Sequence, residues 1–110
     1  MKQVPIPTQL NLYAQTIVVE PSTTLVQDQE AVGLANFENN TIQLQIDSPK
    51  YPRSRRQIEE AYLHELTHFI LQYMEHELRF NEPFVDQFSK LLHQAMTTSK
   101  GNLLRVKPAT

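Results

Sequence analysis

The strongest constraint on this chain is a change of period at Asp47–Pro52 (DSPKYP). Before it, Thr41–Ile46 (TIQLQI) alternates Ile42, Leu44 and Ile46 with Gln43 and Gln45, the period of two of a strand with one buried face. After it, Ile58, Tyr62, Leu66, Phe69, Ile70 and Tyr73 fall within roughly 120° on a helical wheel, the apolar stripe of a helix. The two prolines between them end the sheet and permit the switch. The chain therefore reads as α+β, with strands first and helices second.

Two further strands are expected. Gln15–Glu20 (QTIVVE) is β-branched and runs into Pro21, which suits a short strand stopped by proline. Ala31–Phe37 (AVGLANF) faces Thr41–Ile46 across Glu38-Asn39-Asn40, and asparagine tolerates the positive φ that a hairpin turn needs. Residues Pro21–Glu30 are polar and read as loop. The expectation is a two- or three-stranded, mainly antiparallel sheet.

The first helix should run from about Ser54 to about Met74, and Glu75–Phe80 should connect it to a second. Asn81 is a good N-cap, with Glu82 and Pro83 tolerated in the first turn. That helix should reach about Thr98, with Phe84, Phe88, Leu91, Leu92 and Ala95 as its core stripe. Residues 1–98 then form one domain, and Ser99–Thr110, with Gly101 and Pro108, form a loosely ordered tail.

Composition removes whole classes of chemistry. Among 110 residues there is no cysteine, which excludes disulfides, thiolate metal sites and a cysteine nucleophile. The two glycines, Gly33 and Gly101, are too few and too far apart for a phosphate-binding loop. A formal charge of -2 argues against broad electrostatic binding to nucleic acid. No apolar run can span a bilayer, and the opening MKQVPIPTQLNLYAQ has no apolar leader, so a cytoplasmic location is expected. Arg53, Arg55 and Arg56 cluster where the helix dipole disfavours cations. They read as a solvated helix start, with docking of an acidic peptide or nucleic acid as the alternative.

The chemistry sits in His64-Glu65-Leu66-Thr67-His68, an HExxH pattern inside the first helix. Histidines four apart share a helix face one turn apart, so both imidazoles can reach one metal ion. Zinc lowers the pKa of a bound water toward about 7, and a carboxylate placed as Glu65 is can take its proton. A hydrolytic zinc site needs a third protein ligand and an open position. Without cysteine the candidates are carboxylates and histidines. Glu75, His76 and Glu77 lie in the connection and would need a sharp reversal. Glu82 opens the second helix after a loop long enough to fold that helix back, and is better placed. Asp86, four residues on, shares its face and is a candidate to hold the outer nitrogen of a ligating histidine. His93 is about 16 Å along the axis from Glu82 and reads as a packing or cleft residue. Tyr62, Tyr73 and His93 are the available groups for an oxyanion, although both tyrosines lie on the core stripe.

HELTHFIL followed by NEPFVDQF resembles the gluzincin pattern HExxH…NExxxD with a shortened gap. The order of strand, GLANFENNTIQLQ hairpin, basic segment, HELTH helix and carboxylate-bearing helix is similar to the ImmA/IrrE-type metallopeptidases, particularly to short metallopeptidase-like proteins of phages and prophages of Gram-positive bacteria. The resemblance covers roughly residues 15–98. It implies a minimal zincin-like fold with Zn²⁺ held by His64, His68 and Glu82, Glu65 as catalytic base and Asp86 supporting a ligand. It implies a zinc-dependent peptidase acting on a protein or peptide, a phage or host regulator among the candidates. The alternative is a binding or regulatory module that keeps the metal without hydrolysis. An edge strand beside the metal helix could hold an extended peptide by strand addition.

Overall fold

The computed structural model describes residues 2–107. Its α+β architecture has the order β1 (Gln9–Leu12), β2 (Gln15–Ser22), α1 (Leu25–Gln29), β3 (Gly33–Asn36), β4 (Thr41–Gln45), α2 (Arg55–Tyr73) and α3 (Glu82–Thr98). The four strands form one sheet in the order β1-β2-β4-β3. The sheet is larger than the two or three strands expected. β1 and β2 form a hairpin with Leu12 opposite Gln15, so Tyr13 and Ala14 make the turn, and Tyr13 takes a φ of 53°. That turn lacks Gly, Asn or Asp, the residues that normally advertise it.

The outer pairings are antiparallel, but the central pair β2–β4 is parallel. β2 continues through Pro21, which pairs with Leu44. β1 has ended by then, since its last partner on β2 is Val18, and β2 has only β4 beside it. The amide that proline lacks is thus no loss to a second ladder. The segment expected as loop contains the short helix α1, whose Leu25 is buried. Gln45 is fully buried beneath it. Its amide accepts from Val26 N and donates to the carbonyls of Thr23 and Ile46, so no polar atom is stranded.

β3 lands at the sheet edge because it returns as a hairpin on β4. Asn36 Oδ1 accepts from the amides of Glu38 and Asn39, and Asn40 takes the positive φ, as the two asparagines predicted.

One face of the sheet, with Ile17, Val19, Ile42 and Leu44, packs on Ala61, Tyr62, Leu63 and Phe69 of α2 and on Val4. Each buried Val, Ile, Leu or Phe of this cluster contributes about 1.5–3 kcal/mol. Ser54 and Gln57 close a capping box at the start of α2. Ile70, expected in the core stripe, is exposed, whereas Leu63 and Leu71 are buried. α2 is covered on two sides, by the sheet and by α3, so its buried arc is wider than one stripe.

The expected core stripe of α3 is overturned. Phe88 and Leu91 are 47% and 58% exposed, Leu92 and Ala95 are also exposed, and Phe84 is half-buried. The buried row is Val85, Ser89, His93 and Thr97. A polar contact holds this seam: His93 Nε2 lies 2.8 Å from Glu59 Oε1, both side chains being buried. Arg55 Nε donates to Glu59 Oε2 at 2.9 Å and Arg55 Nη2 to Val4 O at 2.8 Å. Burial pushes the Glu59 carboxyl up, but hydrogen bonds from Arg55, His93 and the Val4 backbone outweigh it and hold the group below its ordinary range. Apolar periodicity cannot register a seam made by an ion pair and small residues. Residues 99–107 form no regular element and are exposed, and residues 108–110 of the expected tail lie outside the described residues.

Candidate metal centre

His64 and His68 lie one turn apart on α2, with ring centroids 5.0 Å apart. After α2 the chain reverses through Glu75, which takes a φ of 51°. Asn81 then caps α3 by accepting from Phe84 N. Glu82, the first residue of α3, is thereby carried back over the two imidazoles. Its Oε1 lies 2.9 Å from His68 Nε2 and its Oε2 lies 3.1 Å from His64 Nε2. One ligand atom from each of the three residues falls within 4.8 Å of the others, the one such group among the described residues.

The donor set fits a small divalent cation. Ligands about 2.0–2.2 Å from a tetrahedral ion stand roughly 3.3 Å apart, close to the two Glu82–imidazole separations of 2.9 and 3.1 Å. Glu82 is 64% exposed at its side chain, so one side of the group faces solvent. His68 Nδ1 lies 3.3 Å from the carbonyl of Arg79. Donation to that carbonyl fixes the tautomer that leaves Nε2 free for a metal. Sequence reasoning missed this support because a main-chain oxygen leaves no residue signal.

Asp86 is on the correct side but does not do what was expected. Its Oδ1 is 3.7 Å from His64 Nδ1, beyond hydrogen-bond distance, and its Oδ2 pairs with Lys90 at 3.0 Å. It is a charge near the imidazole rather than a hydrogen-bonded support. Glu75 and Glu77 stay outside the group, and His76 Nδ1 accepts from Leu78 N within the turn. The three oxyanion candidates are engaged or withdrawn. Tyr62 is buried in the core, Tyr73 donates to Asn40 Oδ1, and His93 faces Glu59.

Glu65 is not in the ligand group. The residue is only 9% exposed, and its carboxylate lies against Gly33 of β3. Burial raises its pKa to about 7, the charge of Glu82 adds to this, and the Ala35 backbone amide pulls the other way. A carboxyl balanced near neutrality can both accept and return a proton. Gly33 was noticed in the sequence only as too isolated for a phosphate loop. Its part here is to let the strand approach Glu65, and a glycine inside a strand pattern is the signal for such an approach.

Two clefts flank the group. One, of about 580 Å³, is walled by Arg53, Glu60, Asp86 and Lys90. The other, of about 370 Å³, is walled by Leu34, Phe37 and Phe80 and contains His64, Glu65, His68 and Glu82. The arginine cluster is thus divided rather than uniformly solvated. Arg53 lines the first cleft, Arg55 bridges Glu59 and Val4, and Arg56 pairs with Glu60 at 2.9 Å. The i,i+4 pairs offset the dipole cost of cations at the start of α2. No helix among the described residues is long and apolar enough to cross a membrane. The chain matches no protein-family model, no curated protein and no solved structure.

Proposed function

We propose that the protein is a minimal zinc-dependent peptidase that cleaves an extended segment of a protein or peptide. The observation that carries this reading is the convergence of His64, His68 and Glu82 beside a buried carboxylate that is not itself one of the ligands. His64 and His68 would hold the ion through Nε2 and Glu82 through its carboxylate. When bound, Zn²⁺ supplies Lewis acidity toward a carbonyl and a water molecule. The histidine and carboxylate donors suit zinc, and the solvent-facing side of the group leaves a position for substrate.

The chain's own residues supply the rest. β3 is an edge strand and, apart from the Ala35 amide that Glu65 engages, offers backbone groups to an extended peptide. That pairing would set the scissile carbonyl beside the ligand group. Glu65 would take a proton from the attacking water at its carboxylate and deliver it to the leaving amine nitrogen. Gly33 and the Ala35 amide hold that carboxylate in place. The resemblance to ImmA/IrrE-type and phage-borne proteins makes a regulatory protein of phage or host the natural substrate class to test.

A second reading is favoured by the engagement of Tyr62, Tyr73 and His93 elsewhere, which leaves none of them to stabilise an oxyanion. In that reading the same metal site serves a binding or regulatory module. The deciding experiment compares wild type with Glu65→Gln, both loaded with one zinc per chain. The peptidase reading requires cleavage of an unstructured protein by wild type and its loss in the variant. Equal behaviour of the two would sink it.

A further inference from the structure

The two clefts beside the ligand group differ in chemistry. Arg53, Glu60, Asp86 and Lys90 make one charged. The other is walled by Phe37 at the end of the β3 strand and by Phe80 just before α3. Phe80 is 71% exposed and Phe37 is also exposed, an unusual placement for two phenylalanines beside a polar centre. Neither ring is loose. Phe37 stands edge-on to the buried Phe69, with centroids 4.9 Å apart, and the guanidinium of Arg79 covers Phe80 at 4.9 Å. Arg79 is also the residue whose carbonyl supports His68, so the Phe80 wall and the ligand group share one anchor.

Resting on the peptidase reading above, we infer that Phe37 and Phe80 form an aromatic subsite that selects substrates with a large aromatic side chain immediately N-terminal to the scissile bond. The direction follows from the strand. β3 runs from Gly33, beside the charged cleft, to Asn36, beside Phe37. Antiparallel pairing is the more stable per residue, so an added peptide runs from the Phe37 end to the Gly33 end. Its residue before the scissile carbonyl then lies over the aromatic walls, and the residues after it enter the charged cleft. An aromatic guest can meet the two rings edge-to-face at centroid distances of about 4.5–7 Å, which an aliphatic guest cannot reproduce.

The test uses blocked hexapeptides of alanine, with or without one phenylalanine at the third position, and two readouts. Binding is measured to the zinc-loaded Glu65→Gln protein, and the cleavage position is mapped with zinc-loaded wild type. The phenylalanine peptide should bind about tenfold or more tightly than the all-alanine peptide. Phe80→Ala should bring that ratio close to one, whereas Phe88→Ala, which removes an exposed phenylalanine outside both clefts, should leave it unchanged. Cleavage should follow the phenylalanine directly. Cleavage without a phenylalanine preference, a preference for phenylalanine after the scissile bond, or a ratio that survives Phe80→Ala overturns the subsite while the peptidase reading stands. Phenylalanine-selective binding lost in Phe80→Ala, with no cleavage by wild type, keeps the subsite and removes the peptidase. Absence of any binding overturns the subsite.

Discussion

A methyl group on Gly33 would stand 2.9 Å from Oε2 of Glu65, closer than a real Cβ approaches any atom. Strand and helix are therefore as near as a backbone without a side chain allows. Gly33→Ala must displace the Glu65 carboxylate, the flexible end of its side chain. Stability should change by no more than about 1 kcal/mol, since the side chain can yield. Zinc stoichiometry should stay at one per chain while kcat/KM falls about tenfold or more. Thermal melts, metal analysis and peptide hydrolysis on one preparation separate the three effects.

Metal should stabilise the fold through Glu82 as well as through the histidines. Zinc at about 100 times its Kd raises unfolding free energy by about 2.7 kcal/mol if it binds only the folded chain. Chelation should remove that increment, and Glu82→Ala should lose most of it. An unchanged zinc-dependent rise in Tm for Glu82→Ala would show that a different residue completes the site.

The raised pKa of Glu65 makes a signed prediction for the metal-free protein. Its carboxyl titrates near 4.5 when unfolded and near 7 when folded, so the folded state favours the proton. Ionising it costs stability that begins to be lost above pH 4.5 and is fully lost above pH 7. Glu65→Gln should therefore stabilise the metal-free protein at pH 8, by at most roughly 3 kcal/mol, and hardly at all at pH 4. Urea melts at the two pH values, with chelator present, read the difference. An equal effect at both would show that the carboxyl does not titrate as stated.

Glu59 has the opposite sign. Its folded pKa lies below the unfolded value, so its contribution is present above the unfolded pKa and is lost as pH falls through the folded one. Glu59→Gln should flatten the acid limb of the stability profile. Glu59→Ala, which strands His93 in the seam, should cost roughly 3–5 kcal/mol at neutral pH. A loss under 1 kcal/mol in a urea melt would mean that the pair does not hold α3.

Phe69 and Phe88 test the orientation of α3 by contrast. Phe69 is fully buried and Phe69→Ala should cost about 3–5 kcal/mol. Leu91→Gln and Phe88→Ala, on the outer face of α3, should each stay within about 0.5 kcal/mol. Comparable losses at Phe69 and Phe88 would place the predicted stripe back in the core.

Legibility in the sequence followed local chemistry. HELTH spacing, the Asn81 cap and the asparagine hairpin all depend on residues close in sequence, and the structure brings His64, His68 and Glu82 together. The parallel β2–β4 pairing was hidden because β3, though earlier in the chain than β4, sits outside it, and sequence neighbours are not sheet neighbours there. β1 was hidden by a turn without turn residues at Tyr13 and Ala14. The expected link from Asp86 to His64 shared a helix face correctly but stands at 3.7 Å, with the other carboxylate oxygen paired to Lys90, a partner on the same helix. α3 was misread because its buried row is held by Glu59 and His93, which no hydropathy pattern counts.

That misreading identifies what sets the place of Glu82. Adjacent helix positions are about 100° apart, so Phe84 and Val85 cannot both point at α2. Seating α3 on its greasiest face would turn Glu82 away from His64 and His68 by more than a third of a turn. The salt-linked seam therefore acts as a rotational lock, and the direction Glu82 faces at one end of α3 is tied to a histidine near the other. With the apolar row of α3 turned outward, the polar pair decides which way that helix faces.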